Sequence, residues 1–452
     1  MRPLKLWRWA LCGGFALVAA GNLPGQMTYD SVVSLAEGRS GHRLAWGPPT
    51  YSWILGLFDK VLPGTGLYLV VSMLLLFTAW ASLPRLRPAL SWFGPAALLL
   101  VLATPQVVLY QGIVWKDVFF ANVAVAGFVA IAGAAARWDV PWAKWAPLAF
   151  AALCLALGSL VRQNGSITWV FSALALAWTA RGGGWKRIVG WGAAGFMGPL
   201  LVAIVLSLVN PIRQAPGDST IDQGLHFLQS YDLLAALAHD PHRPMPTLER
   251  INHTALQTMR EEARRAYSPT RTDAMDKSPS FEAALGQFDN HAVAAEWEHL
   301  IVSDPAAYAR QRLEIFDWVF LTPKIDSCVP IEVGIDGPPD IAKQLDIDIG
   351  VRPQDAHIYN YATWFLDTPV FSHAFFAALA VLVAGFLLVR RQRADGVIAA
   401  LIVAALAFAA SFYVISLACD YRYLYFLDMA AITGVLYVAI DPSLPRRGSR
   451  RG

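Results

Sequence analysis

The chain has 452 residues, 56% of them hydrophobic and only 15% charged, with a mean hydropathy of +0.43. Soluble domains carry about 25% charged residues, so a soluble globular protein is excluded and a polytopic membrane protein remains. The formal net charge of +3 is spread over many loops, which provides no basic face for nucleic acid, and no nucleic-acid partner is expected.

The first apolar run, over 6–20, follows Arg2 and Lys5 as in a signal peptide. It lacks a small-x-small cleavage pattern, and it is read as a retained helix. A spanning helix needs about 20 apolar residues. Such runs are predicted at 6–22, 66–83, 91–110, 118–136, 145–162, 167–180, 188–209, 369–389, 395–417 and 424–440. The expected fold class is an all-α polytopic membrane protein of about ten transmembrane helices. Residues 1–209 form an N-terminal transmembrane module that contains a long loop at 23–65. Residues 210–368 form a mostly helical outer segment, and 369–452 form the last helices and a basic tail.

Basic residues cluster at Arg2/Lys5/Arg8, Arg85/Arg87, Arg137/Lys144, Arg181/Lys186/Arg187, Arg390/Arg391/Arg393 and Arg446/Arg447/Arg450/Arg451. Threading the spans from a cytoplasmic N-terminus puts all of these clusters on one side, as the positive-inside rule requires. Both termini are therefore expected in the cytoplasm. The outer loops keep one cation each, and the span centres read as apolar.

In the loop at 23–65, residues 28–37 fit a short amphipathic helix ended by Gly38 and Ser40-Gly41. A second helix is expected over 51–61, after the stiff turn Trp46-Gly47-Pro48-Pro49. Both are too short to span and suit the interface plane. The outer segment has a helical pattern at 292–321 and a Pro/Gly/Asp-rich stretch at 323–353. Its histidines, including His226, His239 and His242, lack metal-ligand spacing. Asn252-His253-Thr254 matches a glycosylation sequon. Cys328 and Cys419 both fall on the outer side, where a disulfide and two free thiols are equally open.

Four polar motifs lie opposite the basic loops. Tyr29-Asp30 places a carboxylate just beyond a span. Desolvation there would raise its pKa and suit it to general-base work; the plainer reading is a first-turn charge on a helix. Trp115-Lys116-Asp117 pairs a cation with an acid, for a phosphate and for a substrate hydroxyl or a cation. It equally fits a snorkelling lysine and a helix N-terminal acid. Arg162-Gln163-Asn164-Gly165 interrupts an apolar stretch. Either it lines a polar cavity, with the guanidinium fork matching phosphate, or it is a tight Asn-Gly turn. Asp420-Tyr421-Arg422-Tyr423 is either another anion ligand or a self-neutralised pair. Together these motifs favour an anionic group carried on a lipid.

This arrangement resembles the GT-C class of integral membrane glycosyltransferases, which includes the protein O-mannosyltransferases and the aminoarabinose transferases. The resemblance rests on Tyr29-Asp30 in a first loop with two interfacial helices, on Trp-Lys-Asp at 115–117, on Arg-Gln-Asn-Gly at 162–165 and on Arg422-Tyr423-Leu424-Tyr425. It implies a polyprenyl-phosphate-linked sugar donor, a lipid, glycan or protein acceptor, contact with membrane lipids, and a bacterial cytoplasmic (inner) membrane location. It further implies catalytic roles for Asp30 and Asp117, and donor-phosphate binding by Lys116, Arg162 and Arg422. Tyr29, Asn164, Asp420 and Tyr423 would support them. No cofactor is certain. The first loop has no paired-acid motif, so a divalent cation stays open. The segment at 210–368 departs from familiar members. The rival reading is a lipid or polysaccharide transporter or flippase, which should carry polar residues at mid-span. A third is a scaffold, in which Asp30 would have no role.

Overall fold

The computed structural model describes residues 3–45, 47–140, 142–212 and 220–444. Arg2, Trp46 and the tail cluster Arg446, Arg447, Arg450 and Arg451 lie outside them. The structure is 76% helix, and the described residues form isolated backbone bridges but no strand.

The principal helices, in chain order, are α1 (Pro3–Asn22), α2 (Tyr29–Ser40), α3 (Pro49–Val61), α4 (Gly66–Ser82), α5 (Phe93–Leu102), α6 (Lys116–Ala136), α7 (Trp145–Val161), α8 (Ile167–Thr179) and α9 (Trp185–Val209). There follow α10 (Thr220–His239), α11 (His253–Ala266), α12 (Asn290–Ser303), α13 (Pro305–Leu321), α14 (Pro353–Thr363), α15 (His373–Arg390), α16 (Arg393–Ile415) and α17 (Tyr425–Ile440). Among the described residues, six helical stretches are long and apolar enough to cross a membrane: Gly66–Leu86, Lys116–Ala136, Trp185–Val209, His373–Arg390, Arg393–Ile415 and Tyr421–Ile440. The chain is an all-helical, multi-pass membrane protein.

Four of the ten expected spans fall short of that standard. Lys5, Arg8 and Asn22 dilute the apolar run of α1. The run at 91–110 breaks between Phe93–Leu102 and Pro105–Gly112 with a 63° bend; counted as one broken span it would make seven. Pro105 cannot donate a helical hydrogen bond and disfavours helix in the residue before it. The runs at 145–162 and 167–180 become helices of 17 and 13 residues.

The chain folds into two compact units. The first comprises residues 1–213, 331–408 and 424–452; the second comprises 214–330 and 409–423. Residues 331–368, expected in the outer segment, thus belong to the first unit. The reason is a set of polar contacts made far along the sequence. Gln26, 1% exposed, donates to Asp355 at 3.0 Å and accepts from the Gly334 N–H at 2.6 Å. Arg352 pairs with Asp355 at 2.8 Å and donates to the Leu23 carbonyl at 2.6 Å. Burial acts to raise the Asp355 pKa, but the hydrogen bonds from Arg352 and Gln26 outweigh it and hold the carboxyl below its usual range.

In the first unit α6 is the central helix. Some 89% of its apolar window is buried, against 17% for α9, whose flanks are left for lipid. The expected short helices form as α2 and α3. Gly38 does not end α2, however. A Cβ on Gly38 would lie 2.2 Å from the Ser52 carbonyl oxygen, and one on Gly56 would lie 2.2 Å from the Gly38 carbonyl oxygen, so the pair sets the close crossing of α2 on α3. The helix ends three residues later at Gly41, whose φ of 75° suits the left-handed cap. Buried Glu37 braces the following loop, accepting from the Leu44 and Ala45 N–H groups and from the Ser52 hydroxyl.

Part of the expected basic surface is structural. Arg87 pairs with Asp441 at 2.5 Å. Arg390 pairs with Asp395 at 2.7 Å, and the Tyr437 hydroxyl donates to the same carboxylate at 2.9 Å. These buried pairs tie together the ends of α4, α15, α16 and α17.

The second unit packs around Leu234, Leu256, Phe281 and Ile315. Cys328 and Cys419 form a disulfide that closes a separation of 91 residues. Asn252 of the sequon caps α11, its side chain accepting from the Ala255 N–H.

Candidate functional site

Within the first unit, short contacts bring the first-loop acid to the Trp-Lys-Asp motif. The segment 113–115 runs as an extended strap beside residue 26: Gln26 N–H donates to the Gly112 carbonyl and Val114 N–H to the Gln26 carbonyl, both at 2.9 Å. The N-terminus of α2 is then pinned to that strap. Ser31 donates to the Val114 carbonyl at 2.6 Å, and the Trp115 indole N–H donates to the Thr28 hydroxyl at 2.9 Å. Thr28 is the N-cap of α2 and Trp115 the N-cap of α6. Two helix N-termini, each favouring negative charge, thus start side by side. Each carries an aspartate at its second position, Asp30 on α2 and Asp117 on α6.

The two aspartates differ in environment. Asp30 and Tyr29 lie on the outside of the unit, and Asp30 occupies the helix first turn that the plainer reading assigned it. Asp117 is buried at 3% exposure. Arg162 approaches its carboxylate at 2.9 Å, but out of line for a hydrogen bond. Among the described residues neither carboxylate oxygen of Asp117 has a hydrogen-bond partner. Buried polar atoms are nearly always satisfied, and an exception calls for an explanation.

Arg162 reaches Asp117 because the chain turns there. The backbone leaves α7, forms the 3-10 turn Gln163–Ser166, and closes with a Gly165 N–H to Arg162 carbonyl bond at 2.8 Å. The Asn-Gly turn reading is what the backbone adopts, with Asn164 half-buried on the turn. Lys116 is half-buried at the first position of α6.

The sequence reading missed Tyr51, at 3% exposure in α3. Burial, foremost, keeps its hydroxyl protonated well above the usual phenol range; the adjacent Tyr68 hydroxyl and the charges of Asp117 and Asp30 push the same way. Tyr51 is a neutral group within electrostatic reach of both carboxylates. Tyr68 donates to it at 3.3 Å and begins a buried polar series. Ser72 bonds Asn122 at 3.0 Å, Asn122 bonds Gln111 at 2.9 Å, and Gln111 bonds the Tyr425 hydroxyl at 2.8 Å. Asn122 lies inside α6, and Asp428, inside α17, pairs with His373 at 2.9 Å with both side chains fully buried. Polar groups thus enter the first two turns of these helices, short of the span centres that read as apolar.

The remaining candidates belong to the second unit. Arg422 pairs with Asp420 at 3.0 Å, and its guanidinium lies 5.8 Å from the Tyr423 ring centre. Tyr423 stacks on Phe412 at 5.6 Å. Arg162 and Arg422 are therefore not the isolated cations the sequence suggested; each has a carboxylate partner. Among the described residues no three His, Cys, Asp or Glu side chains converge on a metal-sized site.

No protein-family model, curated protein or solved structure matches the chain. The chemistry must be argued from the site. It offers one exposed and one buried carboxylate, a lysine, an arginine and a neutral tyrosine, all at the same end of α6.

Removal of Arg162 tests the charge balance. Arg162→Ala leaves Asp117 buried without its ion pair, and loss of one partner of a buried pair costs about 3–5 kcal/mol. Arg162→Ala combined with Asp117→Asn should recover at least half of that loss. Thermal unfolding of the detergent-solubilised protein reads the difference.

Proposed function

We propose that the chain is a GT-C-type membrane glycosyltransferase. It moves a sugar from a polyprenyl-phosphate donor to a lipid, glycan or protein acceptor at the outer face of a bacterial cytoplasmic membrane, with both termini cytoplasmic. One observation carries the reading: Asp117 is a buried, charge-compensated carboxylate whose oxygens lack hydrogen bonds, set beside exposed Asp30 at a shared pair of helix N-termini. A buried carboxylate in that state suits a hydroxyl group that arrives with the substrate.

The acceptor oxygen attacks the anomeric carbon. The bond from that carbon to the phosphate oxygen breaks, and its electron pair leaves on the polyprenyl phosphate. Asp30, open to solvent, takes the acceptor proton. Asp117 accepts a hydrogen bond that orients a sugar or acceptor hydroxyl. Lys116 and Arg162 offset the charge that grows on the departing phosphate. Tyr51 contributes a neutral hydroxyl within electrostatic reach of both carboxylates. A divalent cation stays open in this reading, and no step is routed through one. Arg422, with Asp420 and Tyr423, is a second phosphate candidate by its chemistry.

The buried polar series from Tyr68 to Tyr425 favours the flippase reading, since transporters place polar groups inside spans. Yet Asn122 and Gln111 use their amides on one another and on Ser72 and Tyr425. That mutual satisfaction suits a rigid support better than a path for a polar cargo.

Mass spectrometry of envelope glycans and glycolipids, from cells with and without the gene, decides between them. A transferase leaves a species short by one sugar residue in the deletion strain, and Lys116→Ala reproduces the defect. A flippase instead leaves the lipid-linked donor accumulated on the inner leaflet with no activity in the purified protein.

A further inference from the structure

The end of α6 remote from Asp117 carries a second feature that the transferase reading does not use. A cavity of about 370 Å³ lies between α4, α6 and α7. Its walls are largely apolar, with Leu75, Ala79 and Phe150 among them; Thr78 and Ser82 also line it but donate to carbonyls of their own helix, and Arg85 and Arg137 stand at one end. The groove from Leu75 to Arg85 covers eleven residues, about 15 Å of helix. The sequence keeps it open: Gly133 lines it, and a Cβ there would meet nothing within 4 Å.

The charges at its mouth are unusual for this end of the molecule. Arg87, Arg390 and Arg393 each have a carboxylate partner, in Asp441, Asp395 and Asp139. Arg85 and Arg137 are exposed and have no carboxylate partner among the described residues. The acid nearest Arg137 in sequence, Asp139, is engaged at 2.6 Å by Arg393. Two uncompensated guanidinium groups therefore cap a groove that is largely apolar and lies along spanning helices. The complement is an amphiphile with an anionic head and a hydrocarbon chain. Basic pockets between transmembrane helices hold phospholipid heads on this principle, and guanidinium matches phosphate oxygens two at a time.

We propose that this groove is a binding site for an anionic phospholipid. The phosphodiester lies between Arg85 and Arg137, and one acyl chain lies along Ala79, Gly133 and Phe150. The site is distinct from the candidate site at Asp117. Its arginine end, at Arg137, lies 20 residues along from Asp117, about 30 Å, the thickness of a bilayer core. Its lipid is therefore a resident of the opposite leaflet and not the sugar donor. The proposal stands whether or not the protein transfers sugar.

The test uses the full chain in nanodiscs of phosphatidylcholine doped with phosphatidylglycerol, with retained lipid counted by native mass spectrometry after release. The wild type should retain phosphatidylglycerol over phosphatidylcholine by on the order of tenfold, as expected for two basic groups near a headgroup. Arg85→Gln with Arg137→Gln should abolish that preference. Gly133→Leu, which fills the groove and meets open space on folding, should reduce retention of the anionic lipid while leaving both arginines in place. Equal retention of the two lipids by the wild type would overturn the site. So would a preference that survives the double arginine change, or that inorganic phosphate competes away as well as lipid does.

Discussion

Replacing Asp30 with Asn should reduce sugar transfer by about 100-fold or more, with the protein still folded and inserted. The argument turns on two magnitudes. A positioned general base contributes about 10²–10⁴ in rate, or roughly 3–5 kcal/mol of barrier. The helix-dipole contribution of the same carboxylate is small. Asp30 is exposed in the first turn of α2, where its interaction with the helix dipole amounts to about 0.3–1 kcal/mol. Thr28 and Ser31 continue to pin that helix end to 114–115 whatever stands at position 30. A loss of turnover without a loss of thermal stability therefore belongs to chemistry. The assay is transfer from a purified polyprenyl-phosphate sugar, beside an unfolding curve of the same preparation. Asp117→Asn sharpens the comparison, because it removes the counter-charge of Arg162 and should lower both activity and stability. Unchanged transfer in Asp30→Asn would remove the base from the mechanism and favour a scaffold.

Much of the helical plan could be read from the chain because one-dimensional signals govern it. Apolar runs marked the six spanning helices, and Pro48-Pro49 and Gly41 bounded the two short first-loop helices within about three residues. Where the reading overshot, short-range chemistry had intervened. Pro105 bends the run at 91–110, and the stretches around Arg162 yield helices too short to span alone. The candidate site was half legible. Tyr29-Asp30, Lys116-Asp117 and Arg162 stood out as polar groups among apolar ones, and five of these side chains fall in one unit near the same strap. Their environments were not legible. That Asp117 and not Asp30 is the buried acid depends on which side of a helix turn faces the core. Tyr51 resembled an ordinary interfacial aromatic until burial and two neighbouring carboxylates singled it out. The Gln26–Asp355 contact joins positions 329 residues apart, and the Arg87–Asp441 pair joins positions 354 apart. No local pattern announces such partners, and basic residues near spans look alike whether they face solvent or a buried acid.

The second large effect concerns the second unit. Asp232→Ala should destabilise it by about 3–5 kcal/mol, the cost of stranding one member of a buried ion pair. Asp232 and Arg312 are both fully buried, 2.9 Å apart. The Asp232 carboxylate also accepts from the Trp297 indole at 2.9 Å and the Tyr308 hydroxyl at 3.2 Å, joining α10, α12 and α13. Arg312 donates onward to the Tyr413 carbonyl at 3.1 Å and the Ser416 carbonyl at 2.8 Å. One ion pair therefore fastens the segment 409–423, with its Asp420–Arg422 pair, to the helices of the unit. The Cys328–Cys419 disulfide and the Cys419 N–H to Thr270 carbonyl bond hold the same segment a few residues later. Hydrogen exchange followed by mass spectrometry should resolve the two anchors. In Asp232→Ala, peptides over 409–416 and 292–303 lose protection, while the disulfide keeps 417–423 near wild type. Asp232→Leu with Arg312→Met removes both charges together. It should cost less than Asp232→Ala alone, because an apolar pair of similar volume leaves no buried charge without a partner. If the double variant proves as unstable as the single one, the unit depends on the shape of these side chains and not on the pairing of their charges.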